Sequence, residues 1–182
     1  FRLLIIATLP VVLAGLVLNS TGLIHELRSL RVVGCGMVVF GVILYLADKY
    51  GPKNRLKSDW RQKDAFIMGV WQALALIPGT SRSGNTMSGG LFQGFSRVSC
   101  INLSMIMSIP TILASTLLLS FDVIKVDFKN SNATVLLSAS LMSFLAAIIV
   151  LTFLVRFVKN YSFTPFVIYR VILGTLIVYL SY

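Results

Sequence analysis

The sequence predicts an all-α integral membrane protein, a polytopic helix bundle that contains a re-entrant helical hairpin. Hydrophobic residues make up 57% of the 182 residues, and the mean hydropathy is +0.88. Both values are too high for a soluble domain. The charged residues, 12% of the chain, lie mainly in short gaps between long apolar stretches, as in chains that cross a membrane several times.

Five apolar stretches approach the length of about 20 residues that a spanning helix needs. They cover residues 3–18, 32–47, 101–119, 135–157 and 167–182. We therefore expect a single transmembrane domain over residues 1–182. Because the chain starts at Phe1, within an apolar stretch and without a preceding loop, we also expect it to be a fragment of a longer chain.

A basic loop at residues 48–64 predicts the orientation. With this loop in the cytoplasm, the alternation of spans places ten of the 16 Lys and Arg residues on that side and four on the other. This distribution follows the positive-inside rule. The net charge of +10 therefore reflects topology, and we expect no nucleic-acid partner because no basic face is interleaved with aromatic residues.

A sixth apolar stretch, residues 65–77, is too short to span and leads directly into the polar loop PGTSRSG at residues 78–84. We predict a re-entrant hairpin over about residues 65–95 that turns at Pro78 and Gly79. Irregular backbone of this kind is tolerated at membrane depth where it is buried in protein or lines a cavity.

The loop at residues 78–84 has the chemistry of a phosphate site. Arg82 offers a planar, permanently charged donor, and an arginine within a membrane segment indicates function. Gly79 and Gly84 allow backbone N–H groups to approach an anion at the start of the returning half-helix. Nearby hydroxyl groups belong to Thr80, Ser81, Ser83 and Thr86, and Gln72 is placed to orient a water molecule or a phosphate oxygen.

Ordinary structural roles remain open for several of these polar residues. Ser and Thr hydroxyls in membrane helices often bond backbone carbonyls, and we favour that role for the hydroxyls that do not flank Arg82. Arg170 lies near the start of the last span, where snorkelling and a site role are equally good interpretations. His25, the only histidine, is interpreted as a solvated loop residue, and the six acidic residues are all expected in loops.

Longer motifs resemble a known family. The stretch at residues 72–84, followed by SGG at 88–90 and GFSR at 94–97, resembles the second signature of the bacterial undecaprenyl-diphosphate phosphatases, also called bacitracin-resistance proteins. Residues 7–10 are similar to that family's Gly-Thr-Ile-Pro segment, and residues 162–170 to its C-terminal Phe-x-Pro-Phe-x-x-Tyr-Arg pattern. The resemblance covers essentially the whole chain.

The resemblance implies a multi-pass enzyme of the bacterial cytoplasmic (inner) membrane that hydrolyses undecaprenyl diphosphate, a polyprenyl diphosphate lipid. This reaction recycles the lipid carrier of peptidoglycan synthesis and confers bacitracin resistance. The resemblance also implies a divalent cation, Mg²⁺ or Ca²⁺, and a fold of two inverted repeats, of which this chain is the second half. The implied catalytic residues are Arg82, Ser81 and Ser83, and the implied substrate-binding residues are Gly79, Thr80, Gly84, Gln72 and Thr86.

The family's first signature, a Glu-x-x-x-Glu segment followed by a Pro-x-Ser-Ser-Ser-Gly-His loop, has no match here. We therefore expect no metal ligand in this chain and little activity from the chain alone. The alternative is a membrane transporter or flippase that binds a lipid phosphate without cleaving it. A homodimer is a further expectation.

Overall fold

The computed structural model describes residues 1–22, 27–123 and 133–181, which form seven α-helices. The helices are α1 (Arg2–Thr21), α2 (Leu30–Tyr50), α3 (Gln62–Ala73), α4 (Arg82–Phe92), α5 (Arg97–Val123), α6 (Ala133–Asn160) and α7 (Thr164–Leu180). By length and composition, four of these described helices, α1, α2, α5 and α6, could cross a membrane, and α7 is apolar but shorter. The predicted all-α, polytopic membrane protein is confirmed.

The chain divides into two compact units. The first comprises Phe1–Thr111 and Ser162–Tyr182, and it contains α1 to α4, the first part of α5, and α7. The second, Ile112–Tyr161, contains the remainder of α5 and α6. The single transmembrane domain expected over residues 1–182 stays a prediction.

The first unit buries polar side chains as well as apolar ones, and it exposes many large apolar side chains. Its buried polar side chains, each at most 8% exposed, are Asp48, Asp64, Gln72, Thr80, Asn85, Thr86, Ser88, Ser99, Ser104 and Thr111. Large apolar side chains such as Leu13, Val39 and Ile172 are more than half exposed. Buried polar groups beneath an apolar surface are expected of a protein that is surrounded by lipid, where the polar groups must find partners inside.

Helix α2 packs against α7 and α4, whereas α1 packs against α3. A Cβ atom added to Gly34 on α2 would lie 2.8 Å from the carbonyl oxygen of Gly174 on α7, and one added to Gly174 would lie 2.8 Å from that of Gly34. Small residues of this kind let membrane helices approach closely. At Gly36, an added Cβ would lie 2.6 Å from the carbonyl oxygen of Pro78, so α2 also supports the segment between α3 and α4.

Helices α3 and α4 form a helical hairpin. With 12 and 11 residues they are each less than 20 Å long, well short of the roughly 30 Å hydrocarbon core. Arg55 joins the start of α3 to the end of α4. Its Nη1 and Nη2 donate to the Asp64 carboxylate on α3 at 2.9 and 2.6 Å, and Nη1 also donates to the carbonyl of Gln93, which follows α4, at 3.2 Å. The guanidinium lies 4.2 Å from the centroid of the Phe95 ring.

The basic loop is shorter than the predicted range of residues 48–64, because α2 continues to Tyr50 and α3 begins at Gln62. Asp48 and Asp64 are therefore helical and buried, which corrects the expectation that every acidic residue lies in a loop. Burial of Asp64 acts to raise its pKa, but hydrogen bonds from Arg55 and the Arg61 N–H, together with the charge of Arg55, lower that pKa overall.

Replacing Arg55 with glutamine is expected to lower the stability of the protein by about 2 kcal/mol, because one amide cannot replace the paired donors to Asp64 and Gln93. The measurement is the thermal midpoint in detergent, which should fall by roughly 5 °C. Since the folded pKa of Asp64 is depressed, the wild-type contribution is present above about pH 4 and lost as the pH falls below it. Lys57→Gln, at an exposed lysine of the same loop, is the control, and equal midpoints in the two variants would contradict the prediction.

A second anchor forms at Asp48, near the end of α2. Its carboxylate accepts hydrogen bonds from Nε and Nη2 of Arg97, at 2.6 and 3.1 Å, and from the backbone N–H of Phe163 at 3.1 Å. Lys53 Nζ lies 3.7 Å from Oδ1 of the same carboxylate. One buried carboxylate therefore holds together the end of α2 and the starts of α5 and α7.

Candidate anion-binding site at the hairpin turn

The segment between α3 and α4 contains two residues with positive φ. Gly79 has φ of 87°, and an added Cβ there would collide with the backbone of Val33 on α2, so only glycine fits. Ser81 has φ of 66°, which is unusual for a residue with a side chain and is often seen at functional sites. Ser81 caps α4, since its Oγ accepts a hydrogen bond from the Gly84 N–H at 3.3 Å.

Ser81, Arg82 and Ser83 are accessible polar side chains at the end of the turn. Both serines are exposed and their Oγ atoms lie 3.4 Å apart, while Arg82 is half-buried. Arg82 Nη1 donates to Oγ1 of Thr111 on α5 at 3.2 Å, which fixes the direction of the guanidinium. The three residues predicted to be catalytic therefore lie together at the start of α4.

The two threonine hydroxyls are directed inward. Thr80 and Thr86 are fully buried. Thr80 Oγ1 donates to the Ile77 carbonyl at 2.9 Å, and Thr86 Oγ1 donates to the Arg82 carbonyl at 2.9 Å. These bonds give both hydroxyls the backbone role that the sequence analysis favoured for them, and a substrate-binding role for Thr80 and Thr86 stays a prediction.

Two side chains from elsewhere support the turn. Arg170 on α7 donates from Nη2 to the carbonyl oxygens of Gly79 and Thr80, at 2.9 and 2.8 Å. In the amide orientation that satisfies both of its polar atoms, Asn85 donates to the Thr80 carbonyl at 3.3 Å and accepts from the Ala75 N–H at 3.2 Å. Buried carbonyl groups in the turn thus obtain the donors that they need.

Gln72 is the next-to-last residue of α3 and is only 1% exposed. Neither its Oε1 nor its Nε2 has a hydrogen-bond partner among the described residues. A buried amide of this kind is uncommon and calls for an explanation, and a polar ligand is one. The predicted substrate-binding role of Gln72 stays a prediction.

The turn is electrostatically positive. Neither Arg82 nor Arg170 forms an ion pair with a carboxylate of the described residues. The first N–H groups of α4 add the partial positive charge of a helix N-terminus. Unpaired guanidinium groups beside a helix N-terminus favour an anion, and Arg82 is suited to the planar oxygen pairs of a phosphate.

Within the described ranges, no three His, Cys, Asp or Glu side chains are close enough together to hold a metal ion. The described residues therefore do not fit the divalent cation that the family resemblance implies. His25 and Glu26 lie outside the described residues.

Thr111 and Asn85 were not predicted as site residues from the sequence, and Arg170 was left open between two roles. Thr111 follows Pro110 within an apolar helix, where a threonine is ordinary, so its sequence position carries no signal. Asn85 carried a weak sequence signal, because it immediately follows the loop at residues 78–84 and an amide is uncommon at membrane depth.

Comparison with known proteins identifies relatives over nearly the whole chain. A family model described as bacitracin resistance protein BacA matches residues 1–176. The undecaprenyl-diphosphatase of Jannaschia sp. (strain CCS1) is 47% identical over 180 residues, which represent 99% of this chain and 67% of the relative. The undecaprenyl-diphosphatase of Dinoroseobacter shibae is 48% identical, covering 98% of this chain and 67% of the relative. That of Campylobacter curvus is 45% identical over 176 residues, 96% of this chain and 65% of the relative.

Proposed function

The chain belongs to the family of the bacitracin resistance protein BacA, and from that membership we propose that it hydrolyses undecaprenyl diphosphate to undecaprenyl phosphate and inorganic phosphate. Water supplies the oxygen that bonds to the terminal phosphorus, and the bond from that phosphorus to the bridging oxygen breaks. The lipid monophosphate is the leaving group. The reaction returns the lipid carrier to peptidoglycan synthesis and confers bacitracin resistance.

The observation that carries the proposal is the position of Arg82. Arg82 is the first residue of α4 and is flanked in the sequence by two exposed serines, and its guanidinium is held in one direction by Thr111. Negative charge accumulates on the phosphoryl oxygens as the bridging bond breaks, and a fixed bidentate donor stabilises it there. Arg82 therefore acts as the clamp on the diphosphate.

Ser81 and Ser83 are the proposed catalytic hydroxyls beside this clamp. Both are exposed, and their mutual contact of 3.4 Å leaves lone pairs and protons available to a phosphate oxygen or an attacking water. Ser81 is held further by its bond to the Gly84 N–H. We assign these hydroxyls to binding and orienting the terminal phosphate and the water.

The location and assembly are proposed on the same basis. The four described helices that are able to span place the chain in a membrane. The bacterial cytoplasmic membrane is the proposed location, since the proposed substrate is a lipid of that membrane. A homodimer is also part of the proposal. The alternative, a transporter or flippase that binds a lipid phosphate without cleavage, is not favoured because the relatives are named as phosphatases.

A divalent cation, Mg²⁺ or Ca²⁺, is proposed from the family resemblance alone. We therefore predict that a chelator in excess abolishes phosphate release from undecaprenyl diphosphate and that added Mg²⁺ or Ca²⁺ restores it. The assay uses the protein encoded by the complete gene, purified in detergent, with release followed colorimetrically.

The possible outcomes separate the parts of this proposal. Release that a chelator does not affect would contradict the cation and leave the hydrolase intact. No release with or without added cation would contradict the hydrolase, and retained binding of the lipid would then favour the transporter or flippase.

A further inference from the structure

We propose that Arg170 is a positioning residue that fixes the turn at Gly79 and Thr80 and thereby holds Ser81 and Arg82 in the geometry in which they act on the diphosphate. The identity of the substrate rests on the proposed function. The role of Arg170 within the turn rests on the contacts of its guanidinium alone.

The Arg170 side chain extends from α7 to the turn. Arg170 is the seventh residue of α7 and is half-buried. A snorkelling arginine extends toward the nearer membrane surface with its charge in water. Arg170 instead directs Nη2 to the Gly79 and Thr80 carbonyl oxygens, at 2.9 and 2.8 Å, which lie 91 and 90 positions away in the sequence. These contacts favour the site role of Arg170 over snorkelling.

The two carbonyl groups that Arg170 bonds lie in the strained part of the turn. They belong to consecutive residues, and Thr80 lies between the two positive-φ residues Gly79 and Ser81. A strained backbone persists where its surroundings over-determine it. Charge-assisted hydrogen bonds are the strong ones, so the guanidinium holds both peptide groups in the orientation from which Ser81 begins α4.

Gly84, in the first turn of α4, leaves space for the Arg170 guanidinium. A Cβ atom added there would lie 3.0 Å from Nη1 of Arg170 and 3.3 Å from Oγ of Ser81. The guanidinium therefore occupies the space that a side chain at residue 84 would need, beside the N–H that Ser81 caps. This close approach gives Gly84 a role different from a flexible hinge: it makes room for Arg170.

These contacts distinguish positioning from direct catalysis. Arg170 uses Nη2 for two backbone carbonyls, whereas Arg82 has Thr111 as its one hydrogen-bond partner among the described residues. A lysine at position 170 would keep the charge, but its side chain is shorter and ends in a point charge, so it would not place a donor where Nη2 meets both carbonyls. If Arg170 acted only on the phosphate, the amide hydrogen exchange of the substrate-free turn would not depend on it.

The test is Arg170→Lys in the protein encoded by the complete gene, with two readouts. We expect kcat for undecaprenyl diphosphate to fall about tenfold or more while KM stays within about twofold, because misplacing a catalytic group impairs the reaction more than binding. We also expect amide hydrogen exchange of residues 79–85 to become about tenfold faster, because the bonds that hold the turn are weakened. Arg31→Lys is the matched control, since Arg31 also donates to a backbone carbonyl, that of Ser181, at 3.2 Å.

An unchanged kcat, or a loss confined to KM, would overturn the proposal, as would unchanged exchange in the turn. If the wild-type protein hydrolyses no undecaprenyl diphosphate, the proposed function fails and the exchange measurement alone decides the role of Arg170. Gly84→Ala is the second variant, should Arg170→Lys fail to fold. The added methyl group displaces Nη1 without removing charge, so it should reproduce the faster exchange, and unchanged exchange in Gly84→Ala would overturn the proposal.

Discussion

Replacing Arg82 with lysine is expected to lower kcat/KM for undecaprenyl diphosphate by about 100-fold or more while the protein still folds. The lysine keeps the positive charge at the N-terminus of α4. It loses the planar pair of donors that meets two phosphate oxygens at once. It also loses the geometry of the bond from Nη1 to Thr111, so the remaining charge is no longer fixed in direction.

The measurement is steady-state phosphate release by the purified protein in detergent, with thermal unfolding recorded for the same sample. A midpoint within a few degrees of the wild-type value would show that the loss lies in the reaction. Arg31→Lys is again the control, because that arginine bonds the carbonyl of Ser181 at the far end of α7. Wild-type turnover in Arg82→Lys would exclude Arg82 as the diphosphate clamp.

The local part of the site could be predicted because the residues that form it are consecutive in the sequence. Glycines, hydroxyl residues and one arginine between two short apolar runs indicate a turn at membrane depth, and residues 79–81 do lie between α3 and α4, while residues 82–84 begin α4. Short-range backbone preferences give the positive φ of Gly79. The positive φ of Ser81 could not be predicted this way, since serine rarely adopts it.

The supports of the turn could not be predicted, because they come from distant helices. Arg170 is separated from Gly79 by 91 positions and Thr111 from Arg82 by 29. Which of the polar residues on α5 and α7 face the turn depends on how those helices pack, and periodicity does not give that. Arg170 on its own was compatible with snorkelling as well as with a site.

The buried acids were misplaced for a related reason. A carboxylate near the end of an apolar stretch was interpreted as a loop residue, because an unpaired charge in a helix within the membrane is expensive. Asp48 avoids that cost by pairing with Arg97, which comes later in the chain. Asp64 avoids it by pairing with Arg55, which comes earlier. Pairing of this kind appears only in the folded chain.

Replacing Asp48 with asparagine is expected to destabilise the protein by about 3 kcal/mol, because it leaves the half-buried Arg97 guanidinium without its counter-charge. The Asp48 side chain is 5% exposed and that of Arg97 is 28% exposed, so solvent screens the pair little. The Phe163 N–H, at the start of α7, also loses an ionised acceptor. The thermal midpoint in detergent should fall by roughly 10 °C.

This anchor lies far from the turn along α2, and that distance gives the prediction a second part. Asp48 and Val33 are 15 positions apart in one helix, or about 22 Å. Well below the new midpoint, kcat should therefore stay within about threefold of the wild-type value. Asp59→Asn, which neutralises an exposed carboxylate in the neighbouring loop, is the control and should lower the midpoint much less.

A loss of kcat in Asp48→Asn without a loss of stability would contradict this account. It would mean that the Asp48 anchor controls the site through α5 and α7, because these helices contain Thr111 and Arg170, which contact the turn. A fall in midpoint with near-normal kcat would mean that the hydrogen bonds at the turn itself keep Ser81 and Arg82 in place. The structure favours this second outcome, because Arg170, Asn85 and the backbone of α2 all contact the turn directly.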